Sequence, residues 1–348
     1  MGDLRLSVLD LVPVRTGQTT AGAVAASIEL ARAADAAGFT RYWVAEHHNM
    51  PAVAATNPPV LIGMLAAATQ RIRLGSGGVM LPNHAPLVVA EQFALLEAAY
   101  PGRIDLGLGR APGSDPVTTH LLRHGGPTDE KDVMKFDQHV QDLMAMMSAG
   151  GVEVNVGGRG YELHATPYAT SEPRVWLLGS SDYSARLAAQ LGLPYVFAHH
   201  FAGRGTAEAL ALYRGGFTPS EHADRPTTLL TVNAIVADTD AEAERLALPY
   251  RLMMMELRTG DTRRPIRTVE EAEAVPASPE RDEFLAGLSN TWVVGSPDTV
   301  GDQLRALAGE FDVDEVMLHP VAGSYADDDP ARSPARQRTL ELLADFLG

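Results

Sequence analysis

The chain of 348 residues contains no cysteine. Without cysteine there can be no disulfide bonds, iron–sulfur clusters, cysteine-ligated zinc or thiol nucleophiles. The sequence also has no run of about 18 apolar residues that could cross a bilayer. Its first residues lack the basic and apolar regions of a secretory leader. We therefore expect a cytoplasmic globular protein.

Positive charge is scarce. The 28 lysines and arginines are outnumbered by 44 aspartates and glutamates, so the formal net charge is −16. A surface of this sign repels nucleic acids and anionic membranes, and neither is expected as a partner. A locally basic pocket for one phosphate is still compatible with this charge. Because no repeat or change of composition divides the chain, we predict one domain over residues 1–348.

Strand-like apolar runs alternate with helical patterns, which favours a parallel sheet with helical crossovers. Strands are predicted at Leu4–Leu9, Arg41–Ala45, Ile72–Gly75, Ile104–Leu108, Val175–Leu178, Tyr195–Ala198, Leu229–Val236 and Glu315–His319. Helices are predicted at Ala23–Ala37, Pro59–Thr69, Leu87–Ala99, Lys135–Met147, Tyr183–Leu191, Thr299–Leu307 and Arg336–Phe346. About eight such units indicate a (β/α)8 TIM barrel with insertions. Periodicity does not reveal closure, so an open doubly wound sheet is the alternative.

Two segments interrupt the alternation. Gly151–His164 contains Val-Glu-Val-Asn-Val and a glycine pair, and it predicts an inserted hairpin. Gly260–Ser289 is charged and contains Pro265, Pro276 and Pro279. A long segment of this composition before the last β/α unit predicts a lid-like loop rather than a packed element.

Polar and glycine residues follow directly after five of the predicted strands. These stretches are Glu46-His47-His48-Asn49, Gly75–Gly78, Gly107–Arg110, Gly179–Ser184 and His199-His200-Phe201. In a parallel barrel all of them would meet at the carboxyl-terminal mouth, where active sites lie. Five stretches at one edge predict a functional site.

The stretch Gly179–Ser184 is the best candidate for binding a phosphate. Its glycine and the hydroxyls of Ser180, Ser181 and Ser184 precede or begin a helix, where free N–H groups attract an anion. An ordinary helix cap would use the same residues. Arg110, after a neighbouring strand, would either neutralise that phosphate or form a surface ion pair.

Two glycine stretches are less specific. Gly107–Gly113 superficially resembles a dinucleotide-binding fingerprint, but its third glycine comes one residue late and Pro112 opposes the helix that the motif requires. The pair Gly77-Gly78 would allow a flat ligand to approach the backbone closely, and a simple β-bulge is the alternative.

The pairs His47-His48 and His199-His200 raise the question of a metal site. Successive strand residues point to opposite faces, so an adjacent pair seldom supplies two ligands, and no HExxH motif is present. We predict instead that one histidine of each pair faces the pocket as a hydrogen-bond donor or acid–base group. A hydrogen-bonded structural histidine is the alternative.

Seven stretches, in order along the chain, share their pattern with a known family. They are Arg41-Tyr-Trp-Val-Ala-Glu-His-His-Asn-Met50, Ile72–Pro82, Pro86–Gln92, Gly102–Arg110, Trp176–Ser184, Gly192–His199 and Trp292–Val300. They resemble the bacterial luciferase-like flavin monooxygenases. The resemblance covers most of the chain and is nearest to members that tailor antibiotic polyketides in actinomycetes.

This resemblance implies a fold and a catalytic set. The family fold is a (β/α)8 barrel, usually dimeric, with FMN across the carboxyl-terminal mouth. Its essential histidine falls on His47, with Glu46 orienting that histidine or touching the flavin. An aromatic residue near the end of the sixth strand is replaced by His199.

The resemblance also implies where FMN binds. The flavin ring packs against a non-prolyl cis peptide, which falls on Gly77-Gly78. The phosphate is held by an arginine that falls on Arg110. The remaining phosphate ligands fall on the loop residues Gly179, Ser180, Ser181 and Ser184.

Three departures from bacterial luciferase argue against light emission. Gly109 replaces a cysteine before the phosphate arginine, and Ser180 replaces a glutamate that opens the phosphate loop. A second basic phosphate ligand is not clearly matched, although Lys135 is near. None of these changes argues against flavin.

The implied reaction is oxygenation of a small organic substrate by reduced FMN and O2 through a flavin C4a-hydroperoxide. No nicotinamide motif is present, so reduced FMN would come from a separate reductase. An aromatic polyketide intermediate is one candidate substrate. The alternatives are a deazaflavin-dependent hydride-transfer enzyme, a non-catalytic flavin-binding barrel and a metal hydrolase.

Overall fold

Parallel strands close into a barrel in the computed structural model, which describes residues 4–111, 113–123, 135–260, 264–288 and 291–347. In this part of the chain the strands are β1 Arg5–Asp10, β2 Arg41–Val44, β3 Arg73–Ser76, β4 Val79–Met80, β5 Ile104–Gly109, β6 Val152–Val156, β7 Arg159–Leu163, β8 Arg174–Gly179, β9 Tyr195–Phe197, β10 Thr228–Val236, β11 Trp292–Gly295 and β12 Glu315–Pro320. Eight of these pair in parallel in the circular order β1-β2-β3-β5-β8-β9-β10-β12. The predicted (β/α)8 barrel is confirmed, and the open sheet is wrong.

Helices cover the outside of the barrel. Over the described ranges they are α1 Thr20–Ala36, α2 Pro58–Ala68, α3 Pro86–Ala99, α4 Pro116–Leu122, α5 Phe136–Met147, α6 Asp182–Leu191, α7 His199–Ala202, α8 Thr206–Gly216, α9 Asp240–Thr259, α10 Val269–Glu273, α11 Pro279–Ala286, α12 Pro297–Phe311 and α13 Pro334–Leu347, with a 3₁₀ turn at Leu81–Asn83. Each predicted helix is present, with its ends shifted by a few residues. None of the described helices is both long and apolar enough to span a membrane.

The barrel interior is filled in layers, as is usual for this fold. At the amino-terminal end, the Arg41 guanidinium binds Asp105 at 2.7 Å and Glu315 at 2.6 Å, and all three side chains are buried. The next layer is apolar, and in it Trp43 and Trp176 pack edge to face with ring centroids 5.3 Å apart. The carboxyl-terminal mouth lies above these two layers.

The predicted hairpin is confirmed. Strands β6 and β7 pair antiparallel, with Val152 opposite Leu163. They form a separate two-stranded sheet outside the barrel.

The prediction of a lid-like loop at Gly260–Ser289 is wrong for the described residues. Thr268 and Glu271 form a capping box that begins α10, whose Val269 and Ala272 are buried. Ser278 caps α11, which has proline at its first position. The charges and prolines that suggest a loop are thus helix-start signals. Residues 261–263 and 289 lie outside the described residues.

Candidate active site

A cavity of about 670 Å³ opens at the carboxyl-terminal mouth of the barrel. Its size is within the usual range for small-molecule and cofactor sites. Strands and loops that are far apart in sequence bring eight of the predicted site residues to its wall: His47, Gly77, Gly78, Arg110, Gly179, Ser180, Ser181 and Ser184. Two predicted site residues, Glu46 and His199, are not part of the described lining.

One corner of the cavity is shaped to receive an anion. Helix α6 begins here, and Ser181 at its N-cap makes no side-chain capping hydrogen bond. The first N–H groups of the helix are therefore left for a ligand. A Cβ atom on Gly179 would come within 2.7 Å of Ser184 Oγ, so this close packing of loop on helix requires glycine.

Arg110 stands beside this helix start. Its guanidinium carbon lies 4.0 Å from the centroid of the Tyr183 ring, on the first turn of α6. Among the described residues it pairs with no carboxylate, which argues against the predicted alternative of a surface ion pair. Its charge remains to neutralise an anion bound at the corner.

The peptide bond between Gly77 and Gly78 is cis, which confirms the expectation from the family resemblance. A Cβ atom on Gly77 would approach Leu9 Cδ1 to 2.7 Å, and one on Gly78 would approach the Gly107 carbonyl oxygen to 2.8 Å. At Gly78 the neighbour is backbone, so only glycine lets the chain pass this close. The result is a side-chain-free stretch of cavity wall.

His47 lines the cavity close to these glycines. Burial lowers its pKa to about 4, so the ring is neutral near pH 7. The buried Nδ1 atom has no hydrogen-bond partner among the described residues. An unpaired polar atom beside a cavity is suited to a ligand group, because leaving it unpaired costs free energy.

Glu46 is buried, and its hydrogen bonds differ from the predicted ones. Its Oε1 accepts hydrogen bonds from His48 Nε2 at 2.9 Å and His84 Nε2 at 2.7 Å, and its Oε2 accepts one from the Met80 N–H. Burial opposes ionisation, but these donors outweigh it and lower the pKa of Glu46. The carboxylate positions His48 and His84 and makes no hydrogen bond to His47, so it does not orient His47 as the first of its two predicted roles required; the second role, contact with the flavin, stays a prediction.

The pair His199-His200 also differs from its prediction. His199 Nδ1 lies 2.8 Å from Thr206 Oγ1, and its ring packs against Phe311 outside the cavity. His200 lines the cavity instead. Strand β9 ends at Phe197 and α7 begins at once, so strand alternation does not apply to this pair. One histidine of the pair faces the cavity as predicted, but it is His200 and not His199.

The inner wall of the cavity carries a group of polar residues. His200 Nδ1 lies 2.9 Å from Thr231 Oγ1, and His319 Nδ1 lies 3.0 Å from Asn233 Oδ1. Burial lowers the pKa of His200 to about 4 and that of His319 well below its ordinary value. Tyr250 packs edge to face against His319.

In the described ranges, no three His, Asp or Glu side chains are arranged to hold a metal ion.

Sequence comparison then assigns the chain to a family. The family profile described as luciferase-like monooxygenase matches residues 4–312. The chain belongs to the luciferase-like monooxygenase family. A luciferase-like monooxygenase of Escherichia coli K12 is 40% identical to it over 348 residues, with 99% of this chain and 98% of that protein covered. The N-acetyl-S-alkylcysteine monooxygenase of Bacillus subtilis is 32% identical, with coverage of 99% and 98%.

Solved structures agree with this assignment. The crystal structure of apo-MsnO8 has a TM-score of 0.85 at 36% identity and covers 99% of this chain and 97% of its own. More distant structures share the fold alone. One is the oxygenating constituent of 3,6-diketocamphane monooxygenase in complex with FMN, with TM-score 0.70, 21% identity and coverage of 98% and 97%. Another is an F420-dependent secondary alcohol dehydrogenase, with TM-score 0.66, 15% identity and coverage of 98% and 99%.

Sequence reasoning missed several residues of this luciferase-like monooxygenase. Thr231, Asn233 and His319 lie within or at the end of strands that read as continuous apolar runs. Polar residues at alternate positions of such a run were the available signal, because they share one face of the strand. Helix α9 adds an apolar side to the cavity, formed by Tyr250, Met253, Met254 and Leu257.

Proposed function

We propose that this protein is a monooxygenase that takes reduced FMN from a separate reductase and uses O2 to oxygenate a small organic substrate. One observation carries the proposal. Arg110, which pairs with no carboxylate in the part of the chain that the structure describes, and the uncapped start of α6 open into the same cavity as the Gly77-Gly78 wall and His47. A phosphate site at one corner and a side-chain-free wall nearby suit a molecule with a phosphate tail and a flat ring.

The residues present fit FMN. Arg110, Ser180, Ser181 and the first amides of α6 would hold the phosphate, and Gly77-Gly78 would face the ring. When bound, the reduced flavin supplies the electrons and the atom at which O2 is activated. His47, neutral near pH 7, would hold or move a proton at Nδ1, a buried ring nitrogen that has no partner among the described residues.

The experiment combines NADPH, a generic flavin reductase, FMN and ¹⁸O2 with a panel of neutral aromatic hydroxyl compounds, chosen because an aromatic polyketide intermediate is a candidate substrate. Incorporation of one ¹⁸O atom into a compound supports the proposal. Hydride transfer from a reduced deazaflavin without oxygen uptake would show that the chain is a deazaflavin-dependent enzyme instead. Binding of FMN without turnover of any compound would favour a flavin-binding barrel.

Replacing Arg110 by alanine should weaken FMN binding by about 1.5–3 kcal/mol, the usual contribution of a hydrogen bond to a charged group. Fluorescence titration of FMN measures the change. Arg186→Ala is the control, because Arg186 lies on α6, the helix that starts at the proposed phosphate site, and pairs with Asp182 at the exposed surface. Equal affinities of the wild type and Arg110→Ala would remove Arg110 from the phosphate site.

We also propose that the protein is a homodimer. Large apolar side chains are exposed on two helices, Val60 and Met64 on α2 and Val88 and Leu95 on α3. Burying them against a second copy would stabilise the pair. We expect a dimer in sedimentation velocity that the double variant Met64→Lys/Leu95→Lys converts to monomer, while the hairpin variant Val156→Lys leaves it intact. A monomeric wild type at micromolar concentration would contradict this.

A further inference from the structure

Hydrogen bonds on the inner wall of the cavity form a chain that fixes the proton positions of two histidines. The chain starts at the backbone carbonyl of Phe197 and ends at His319. Strand pairing places its members side by side, because Leu230 is opposite Phe197 and Asn233 is opposite His319. Each member can be assigned as donor or acceptor from its neighbours.

Asn233 decides the tautomer of His319. Its Nδ2 lies 2.7 Å from the His200 carbonyl oxygen and 3.4 Å from that of Thr291. Two carbonyl oxygens require the amide nitrogen on that side, so Oδ1 faces His319 Nδ1 at 3.0 Å. An amide oxygen only accepts, and Nδ1 of His319 must therefore carry the hydrogen.

Thr231 decides the tautomer of His200 in the same way. We assign the one hydrogen of the Thr231 hydroxyl to the Phe197 carbonyl oxygen at 3.2 Å, because Oγ1 already accepts the backbone N–H of His200 at 3.4 Å from the other side. Its Oγ1 then accepts from His200 Nδ1 at 2.9 Å. Nδ1 of His200 therefore carries the hydrogen as well.

In a neutral imidazole only one nitrogen is protonated. Both rings are neutral near pH 7, because burial holds their pKa values low. Nε2 of each ring is thus a bare acceptor, and it has no hydrogen-bond partner among the described residues. The two rings pack edge to face, with centroids 5.8 Å apart.

The wall beside the two histidines is apolar and polarisable. Met253, Met254 and Leu257 of α9 and Met317 of β12 line the cavity. Methionine sulfur packs well against aromatic rings and adapts to their shape. In the described lining, Arg110 is the sole arginine or lysine, and the proposed phosphate uses it. A substrate with its own carboxylate would find two acceptors and no cation here.

We propose that the substrate is a neutral aromatic molecule bearing a hydroxyl or N–H group, and that His200 and His319 receive this group through Nε2. The inference rests on the proposed function, in that the substrate shares the cavity with FMN. It assigns both histidines as specificity-determining residues. It also distinguishes them from His47, which no acceptor within the described ranges orients.

The first test is the tautomeric state itself. Long-range ¹H–¹⁵N NMR spectra of ¹⁵N-histidine-labelled protein distinguish Nδ1–H from Nε2–H rings, and the variants His200→Gln and His319→Gln assign the signals. We expect Nδ1–H for both rings at pH 7. An Nε2–H ring at both positions would overturn the proposal. This measurement requires no flavin, so its failure is separate from a failure to bind FMN.

The second test uses two probes that differ only in the donor. 1-Naphthol carries a hydroxyl, and 1-methoxynaphthalene has the same ring with the hydrogen replaced by methyl. In FMN-loaded protein, followed through the flavin absorption spectrum, we expect 1-naphthol to bind about tenfold more tightly, the effect of one hydrogen bond at a buried acceptor. Equal binding, or binding of neither probe, would mean that flavin or water uses the two acceptors, and would overturn the proposal.

A variant links the preference to the ring. His319→Phe keeps the aromatic packing and removes the acceptor, so 1-naphthol should lose about tenfold in affinity while 1-methoxynaphthalene is unaffected. If that variant does not fold, Thr231→Val provides the same comparison, because it frees His200 to protonate Nε2 instead. An unchanged preference in the folded variant would contradict the assignment.

Discussion

Replacing His47 by alanine should lower the rate of oxygenation at least about 100-fold, the low end for a positioned acid–base group. The ring lines the cavity beside the cis glycine wall, is neutral near pH 7, and has a buried Nδ1 without a partner among the described residues. A purely structural histidine would instead be held by protein hydrogen bonds, as His199 is by Thr206.

The measurement is kcat/KM for oxygenation, together with the free energy of unfolding. Because His47 makes no side-chain hydrogen bond among the described residues, its removal should change stability by no more than about 1 kcal/mol. FMN affinity should stay close to that of the wild type, since the proposed phosphate ligands are untouched. His222→Ala, outside the cavity lining, is the control. A His47→Ala variant that unfolds, or one that remains active, would favour a structural role.

Replacing Arg41 by alanine should destabilise the fold by about 3–5 kcal/mol, the usual cost of breaking a buried ion pair from one side. The guanidinium binds Asp105 and Glu315, and neither carboxylate is more than 2% exposed. Arg73 also contacts Asp105 at 2.7 Å, but among the described residues Glu315 would keep the neutral Ser7 hydroxyl at 2.6 Å and, as its counter-charge, Arg5 at 3.7 Å. A buried carboxylate would therefore lose its close counter-charge.

Urea denaturation measures this loss. Arg32→Ala is a matched control, because Arg32 pairs with Glu29 at the same 2.6 Å but at an exposed surface. An exposed pair contributes at most about 1 kcal/mol. FMN affinity of folded Arg41→Ala should match the wild type, since Arg41 lies at the opposite end of the barrel from the cavity. A loss of stability equal to that of the control would show that the network is dispensable.

The anion corner could be found without a structure. A glycine followed by hydroxyls at a helix start has a local physical meaning, and Gly179–Ser184 retains it in the fold. Arg110 could be predicted as a phosphate ligand because it comes two residues after a predicted strand, which places it at the mouth of any parallel barrel. The cis bond at Gly77-Gly78 is different, because it came from the family resemblance; a glycine pair alone is equally compatible with a bulge.

Two of the three errors arise in the turn that follows a strand. Alternation of side chains holds only while the backbone is extended. At His199-His200 a helix begins immediately, so the residue that faces the cavity is His200. At Glu46 the carboxylate meets His84, a residue 38 positions away that no local pattern connects to it. In the segment 264–288, proline and charge suggest a loop by composition, although here they begin helices.

Residues close together in the chain were sufficient for the order of the eight barrel strands, seven of the helices, the inserted hairpin and the polar stretches at the strand ends. These features depend on period, caps and turn residues, which act within a few positions. Barrel closure, the Arg41–Glu315 pair across 274 positions and the proton placement on His319 through Asn233, 86 positions away, required the tertiary structure. A histidine nitrogen is a donor or an acceptor according to the atom opposite it, and only the folded barrel determines which atom that is.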